Sequence, residues 1–268
     1  VNFDLKNINN DDQVNIVTPS NWSKTGFLNA GINDKKITVI PHGIDEKIFF
    51  PLSKIQKKLF RDKLKIKKDD FLISSIGAMT KNKGIEYLII AYCILKKKYK
   101  NLKLVLKDQN NLYNRTGLDC INRVKKTKYS NLVNNNCLKD ILLISTNLNV
   151  NSLNQLYNSS NCYVSSYMAE GFNLTPLEAS ACGTPIVITK GGSTDDYFNK
   201  KLGLQIESKL LKVKDKNMLE PNVDSIVASI EKIITKPDQY GGESASRYIT
   251  DNFSWNKIVH KLYKLLIR

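Results

Sequence analysis

Two carboxylates eight residues apart stand in the string Glu170-Gly-Phe-Asn-Leu-Thr-Pro-Leu-Glu178, which continues through Ala179-Ser-Ala-Cys-Gly183 to Thr184-Pro-Ile-Val-Ile-Thr189. An ionised carboxylate accepts hydrogen bonds and donates none, so such a pair suits a ligand rich in hydroxyls, as a sugar is. Thr175 and Pro176 are helix-start residues, and Pro is at home in the first turn because its missing N–H would go unpaired there anyway. Gly183 is a natural helix end, and the β-branched run after it reads as a short buried strand. The start of the helix offers free backbone N–H groups and the positive end of a dipole, which together attract phosphate. Gly171 lets the backbone come close to such a group. A plainer reading makes Glu170 a capping residue and Glu178 a solvated helix residue; the whole string, more than the spacing, argues for the ligand.

The elements that must position these residues follow from the pattern around them. From Phe71 onward, strands at 71–76, 102–107, 141–145, 161–165 and 185–189 alternate with helices at 83–99, near 115–128, 150–158 and 175–182. Alternation at this spacing predicts an α/β fold, a Rossmann-like doubly wound parallel sheet. Upstream lie a strand at 14–17, a helix at 21–30 closed by Gly31, a strand at 37–40 and a basic helix at 53–65. Downstream come a turn at Asp195-Asp196, a strand at 203–206 and an amphipathic helix at 223–235, whose Val223, Ile226, Val227, Ile230, Ile233 and Ile234 share one face. Helices at 242–252 and 255–267 close the chain. Ligands of open α/β sheets gather at the carboxyl ends of the strands, which makes Lys107, ending the strand Leu102–Leu106, a candidate for an anionic ligand.

Composition narrows the setting. With 268 residues, 41% hydrophobic and 25% charged, the chain can bury a real core and is not disordered. The net charge of +16 admits nucleic acid or an anionic membrane surface as partners. Its lysines, however, are spread along helices without interleaved aromatics, so nucleic acid is disfavoured and a peripheral membrane contact stays open. The five cysteines show no C-x-x-C spacing, which predicts buried free thiols in a reducing compartment. The two histidines, His42 and His260, are far apart, and no metal site is expected. No run approaches a membrane span and no signal-peptide pattern opens the sequence, so a cytoplasmic protein is expected.

The segment Ser165 to Pro185 resembles the signature of the group 1, or family 4, retaining glycosyltransferases of the GT-B fold. Thr18-Pro-Ser-Asn-Trp-Ser-Lys24, Ile40-Pro-His-Gly-Ile-Asp45 with Phe49 and Pro51, and Ile76-Gly77 followed by Lys83-Gly84 fall in that family's order. The resemblance implies the C-terminal half of a GT-B fold: residues 1–45 as the end of an N-terminal domain with its linker, 46–252 as the nucleotide-sugar-binding domain, and 253–268 as the crossing helix. It implies that Glu170 reaches hydroxyls of a donor sugar, that Glu178 holds the ribose, and that amides of Gly171, Phe172, Asn173 and Leu174 meet the diphosphate beside Gly77. Lys83 would face the same diphosphate and stabilise the leaving group. His42 belongs to the linker motif and is expected to be a turn or hinge residue rather than a base. The family usually has an Arg directly after Gly77, and this chain has Ala78. Lys81 and Lys107 are the candidates to compensate, although a lysine does not reproduce the fork of an arginine.

The implied function is transfer of a sugar from a nucleotide-diphospho-sugar to a glycan, lipid or protein acceptor, without a cofactor. Two other readings stand beside it. One is a non-catalytic donor-binding subunit that needs a separate N-terminal half or a second copy of itself. The other is a basic nucleic-acid- or lipid-binding protein on a degenerate scaffold, against which the presence of both carboxylates argues.

Overall fold

In the computed structural model, residues 5–213 and 216–267 are described. A short helix α1 (Leu5–Asn10) precedes β1 (Ile16–Thr18), α2 (Asn21–Asn29) and β2 (Ile37–Val39); the two strands pair in parallel as a small layer of their own. After α3 (Lys54–Lys63) comes the main sheet, made of β3 (Phe71–Ile76), β4 (Leu102–Lys107), β5 (Ile141–Ile144), β6 (Cys162–Ser165), β7 (Ile186–Thr189) and β8 (Gly203–Ile206). These six strands are parallel and stand in the order β5-β4-β3-β6-β7-β8. The fold is therefore the doubly wound α/β sheet that the alternation predicts.

Helices cover both faces. Ile73, Leu104, Val164, Val187 and Ile206 point to one side, under α4 (Ile85–Lys98), α6 (Gly117–Val124) and α10 (Val223–Thr235). Leu72, Ile76, Val105, Tyr163, Ile186 and Ile188 point to the other, under α3, α8 (Val150–Ser159), α9 (Leu174–Ala181) and α11 (Gly242–Phe253). Period-2 alternation with both faces buried is why these strands read as nearly continuous apolar runs. Each aliphatic side chain buried this way stabilises the fold by about 1.5–3 kcal/mol before entropy is counted.

The strand order turns at β3. From β3 to β5 the chain steps outward in one direction, then returns to set β6 on the other side of β3. Six residues of β3 pair with β4, but only Ile73 and Ser74 pair with β6. Pairing ends at Ser74 and its partner Tyr163, whose hydroxyl donates to the Ile76 carbonyl at 3.1 Å and lies 2.7 Å from the Thr175 hydroxyl. The loops after β3 and β6 thus leave a crevice at the point where the winding reverses, the usual ligand position in such sheets.

Several elements differ from expectation. The helix expected over 83–99 begins at Ile85, because 81–83 form a 3₁₀ turn and Gly84 takes a left-handed conformation. The one expected near 115–128 is shorter, with Lys125-Lys126 at its end and Thr127 Oγ1 bonded back to the Val124 carbonyl. The short helices α5 (Asn110–Tyr113) and α7 (Asn135–Leu138) and the antiparallel hairpin of β9 (Ser208–Val213) and β10 (Lys216–Pro221) were not anticipated. The expectation of five free thiols is corrected as well. Cys93 of α4 and Cys137 of α7 form a disulfide across 44 residues, with Cα atoms 5.5 Å apart, while Cys120, Cys162 and Cys182 are free and buried. Short-range spacing carries no information about two cysteines brought together by packing of separate helices.

The linker after β2 meets the end of the chain. Ile44 donates its amide to the Phe253 carbonyl at 2.7 Å and accepts from the Trp255 amide at 3.1 Å, just where α12 (Trp255–Leu266) begins. Of the apolar stripe on α12, Ile258 is buried, whereas Val259, Leu262 and Leu266 are exposed. No helix among the described residues is long and apolar enough to cross a membrane.

Candidate donor site

Three loop features converge on the crevice between β3 and β6. Gly77 ends β3 with φ of 147°, its amide bonded to the Lys107 carbonyl at 3.0 Å, and a Cβ there would lie 3.7 Å from the Lys83 ammonium. Lys83 reaches across the crevice to the loop after β6, where its Nζ is 2.5 Å from Glu170 Oε1. Both side chains keep some exposure, 23% and 14%, so the pair faces the opening.

Gly84 makes that crossing possible. Its φ is 60°, and an added Cβ would stand 2.0 Å from the Ser166 carbonyl oxygen, so the 3₁₀ turn carrying Lys83 can lie flat on the loop after β6 only because residue 84 has no side chain. The Ser166 hydroxyl completes the contact by donating to the Gly84 carbonyl at 2.8 Å.

The second wall is the start of α9. Asn173 takes a left-handed conformation and makes no side-chain cap. Its Nδ2 donates instead to Ser165 Oγ at 2.9 Å, and its carbonyl accepts from the Tyr197 hydroxyl at 2.9 Å. A helix leaves its first N–H groups without internal partners, and Pro176 has none to offer, so Leu174 and Thr175 present the amides of this turn that have no partner among the described residues. Phe172 is buried against His42 and Tyr197, with ring centroids 5.2 and 5.3 Å away, which makes it a support for the loop. The expected linker residue His42 thus packs beneath the loop.

Glu178 sits one turn into α9 and is half-buried. Its Oε2 accepts from the Tyr157 hydroxyl at 2.6 Å, and burial pushes its carboxyl up from 4.5 to about 7, with the Tyr157 bond pulling the other way. Glu170 and Glu178 therefore occupy unlike settings: one beside a cation, the other in a desolvated pocket with a neutral donor.

The N-terminal layer closes over the loop. Ser20 and Ser23 hydroxyls donate to the Gly171 carbonyl at 2.6 and 2.9 Å, and the Asn21 amide donates to Asp196 Oδ2 at 2.7 Å. Between α2 and the loop lies an open cavity of ≈ 380 Å³, lined by Trp22, Ser23 and Gly26 on one side and Asn82, Ala169, Glu170 and Gly171 on the other. A Cβ on Gly171 would meet only Ser23 Oγ, at 3.6 Å, so the loop's open side is free.

Ala78 is buried, and neither lysine expected to compensate for it stands at the Lys83–Glu170 pair. Lys107 is 4% exposed, its ammonium donates to the Asp108 carbonyl, and desolvation lowers its pKa. Lys81 lines a neighbouring cavity with Tyr87, Arg123 and Met168. Residues that sequence reasoning missed are Asn82, Tyr157, Tyr163, Ser20 and Ser23; Ser20 and Ser23 lay inside a quoted motif without an assigned role.

A parallel doubly wound sheet thus presents, at its switch point, a lysine–carboxylate pair and free helix amides, groups that suit an anionic, hydroxyl-rich ligand. The family profile described as "Glycosyl transferases group 1" matches residues 56–255, and the chain belongs to that family. It is 28% identical over 176 residues to the capsular polysaccharide biosynthesis glycosyltransferase CapM of Staphylococcus aureus, covering 65% of this chain and 43% of that protein. It is 26% identical over 162 residues to the mannosylfructose-phosphate synthase of Agrobacterium fabrum, covering 60% of this chain and 34% of that one. Among solved structures, Anabaena HepE in complex with UDP-glucose superposes with a TM-score of 0.77 at 17% identity over 98% of this chain and 68% of that one. Sucrose-phosphate synthase from Thermosynechococcus elongatus gives 0.74 at 20% identity, over 98% and 60%. These likenesses establish the GT-B type of fold. The chain spans well under two thirds of the length of these two curated relatives.

Proposed function

We propose that this chain supplies the donor site of a retaining glycosyltransferase that moves a sugar from a nucleoside diphosphate to a hydroxyl-bearing acceptor. The observation that carries the reading is the meeting of Lys83 and Glu170 across the switch-point crevice, beside the uncapped start of α9. In this reading the diphosphate lies on the Leu174 and Thr175 amides and draws the Lys83 ammonium toward it. Glu170 accepts from hydroxyls of the sugar, and Glu178, once ionised, accepts from the ribose. As the bond from the anomeric carbon to the diphosphate breaks, its electron pair passes to a phosphate oxygen that Lys83 and the amides stabilise. The acceptor hydroxyl then attacks the same face of the sugar, forming the new bond to the anomeric carbon while its proton passes to the departing phosphate oxygen on that face. The cation facing the diphosphate is thus a protein side chain, and no cofactor enters the scheme.

HepE, whose structure holds UDP-glucose, supports a sugar nucleotide as the ligand class. CapM, named for capsular polysaccharide biosynthesis, supports carbohydrate synthesis as the setting. Thermal-shift measurement against UDP-, GDP- and ADP-sugars tests the reading, since a ligand specific for the native state raises the unfolding midpoint by mass action. One sugar nucleotide is expected to raise it, and Lys83→Ala and Glu178→Ala to abolish the rise. Absence of binding by every nucleotide and sugar nucleotide in the panel would remove the proposal.

A further inference from the structure

Between the two lysines of the 3₁₀ turn lies Asn82, whose backbone carbonyl and side-chain Nδ2 both bond to the Glu170 loop. Its carbonyl accepts from the Met168 amide at 2.6 Å and the Ala169 amide at 3.3 Å. Its Nδ2 donates to the Ala169 carbonyl at 3.1 Å and lies 3.5 Å from Glu170 Oε1. Its Oδ1 accepts from Thr80 Oγ1 at 2.7 Å. The amide orientation is fixed by chemistry. A flipped Asn82 would turn its oxygen toward a carbonyl and a carboxylate, both of which only accept, whereas the Thr80 hydroxyl could serve either orientation.

Glu170 Oε1 therefore has two protein donors, Lys83 and Asn82, while Oε2 has no hydrogen-bond partner among the described residues. This asymmetry orients the carboxylate with one oxygen anchored and one presented. The two anchors are not equivalent. Lys83 is a flexible charge that an arriving diphosphate competes for, because two phosphate groups attract an ammonium more strongly than one carboxylate does. Asn82 is held by four backbone and side-chain bonds and cannot follow.

The geometry points to Asn82 as the positioning residue for donor-sugar recognition: it keeps Glu170 Oε1 in place when Lys83 turns to the diphosphate, so that Oε2 stays aimed at the sugar hydroxyls. Thr80 is its support, fixing the Asn82 side chain from behind. The inference rests on the proposed donor reading and assigns a residue and a division of labour within it. Lys83 serves the diphosphate and Asn82 serves the sugar, through Glu170.

Isothermal titration of the chain and its Asn82→Ala variant with UDP-glucose, UDP, GDP-mannose and GDP separates the two roles. For the nucleotide sugar that the unaltered chain binds, Asn82→Ala is expected to weaken affinity about tenfold, the effect of one lost hydrogen bond to a charged group. Its affinity for the matching nucleoside diphosphate is expected to change less than about twofold, since that ligand has no sugar for Glu170 to hold. Thr80→Val, which keeps Asn82, is expected to shift the same ratio in the same direction by a smaller factor, and it serves if Asn82→Ala unfolds. Equal weakening toward sugar nucleotide and nucleoside diphosphate in both variants, or no change in either, overturns the role of Asn82 alone. Failure of the unaltered chain to bind any of the four ligands overturns the donor reading itself.

Discussion

Glu178 is an acid whose carboxyl is pushed up to about 7 by burial, with only the neutral Tyr157 hydroxyl, among the described residues, bonded to it. The folded chain holds this proton more tightly than the unfolded chain, so its contribution to stability is whole below the ordinary value of 4.5 and is lost as pH rises through about 7. Donor binding should run the other way, since ribose hydroxyls are better accepted by the ionised group. Unfolding midpoints of the ligand-free protein are therefore expected to fall between about pH 5 and about pH 8, with a shallower fall in Glu178→Gln, while sugar-nucleotide affinity climbs over the same interval. A slope in midpoint identical in both proteins would assign the pH dependence elsewhere. At this scale the sequence was informative where partners are neighbours in the chain. Glu170, Gly171 and Glu178 were readable from one continuous string, whereas Asn82 touches its loop from 87 residues away and Ser20 reaches Gly171 across 151. Nothing local marks such residues, because their role depends on which loops the sheet brings together. Lys107 shows the converse: a lysine at a strand end looked available, and its ammonium is buried on a backbone carbonyl.

Among the elements, the 3₁₀ turn before α4 depends on a single residue, Gly84. Gly84→Ala combines a left-handed φ of 60° with a Cβ 2.0 Å from a backbone oxygen, and neither Ser166 nor the turn can move without displacing Glu170. It is expected to destabilise the fold by about 3 kcal/mol or more in urea unfolding and to abolish donor binding. A second element-scale prediction concerns α4 and α7. Closing a loop across 44 residues restricts the unfolded chain, so reduction of Cys93–Cys137 should cost about 4 kcal/mol on the chain-entropy model and leave Cys93→Ser with Cys137→Ser unaffected by reductant. Unfolding curves with and without dithiothreitol decide it. The strands and long helices were legible because apolar periodicity belongs to the element itself. The hairpin of β9 and β10 was not, since Ser208-Lys-Leu-Leu-Lys-Val213 and Lys216-Asn-Met-Leu-Glu-Pro221 pair only with each other and carry no clean alternation.

For the whole molecule, α12 separates what the fold uses from what it leaves outward. Ile258 is 2% exposed and Leu266 75%, so Ile258→Asp should destabilise by about 3 kcal/mol and Leu266→Asp should stay within about 0.5 kcal/mol, both read from urea midpoints. Equal losses would mean that the helix lies differently against the body. The parallel, doubly wound sheet was implied by alternating elements, but the strand order and the crevice were not. The crevice lies where the β3–β6 pairing ends at Ser74 and Tyr163, whose hydroxyl bonds to the Ile76 carbonyl, a matter of register that no periodicity encodes.

The closing layer places the chain's two tryptophans at opposite ends of one junction. Trp22 lines the cavity beside Glu170, and Trp255 packs on Gly43, where a Cβ would lie 2.7 Å from its ring. Intrinsic fluorescence is thus already partitioned in the unlabelled protein. Emission from Trp22 reports what enters the cavity, emission from Trp255 reports whether the linker has shifted, and replacing either with Phe turns the other into a single-site optical gauge.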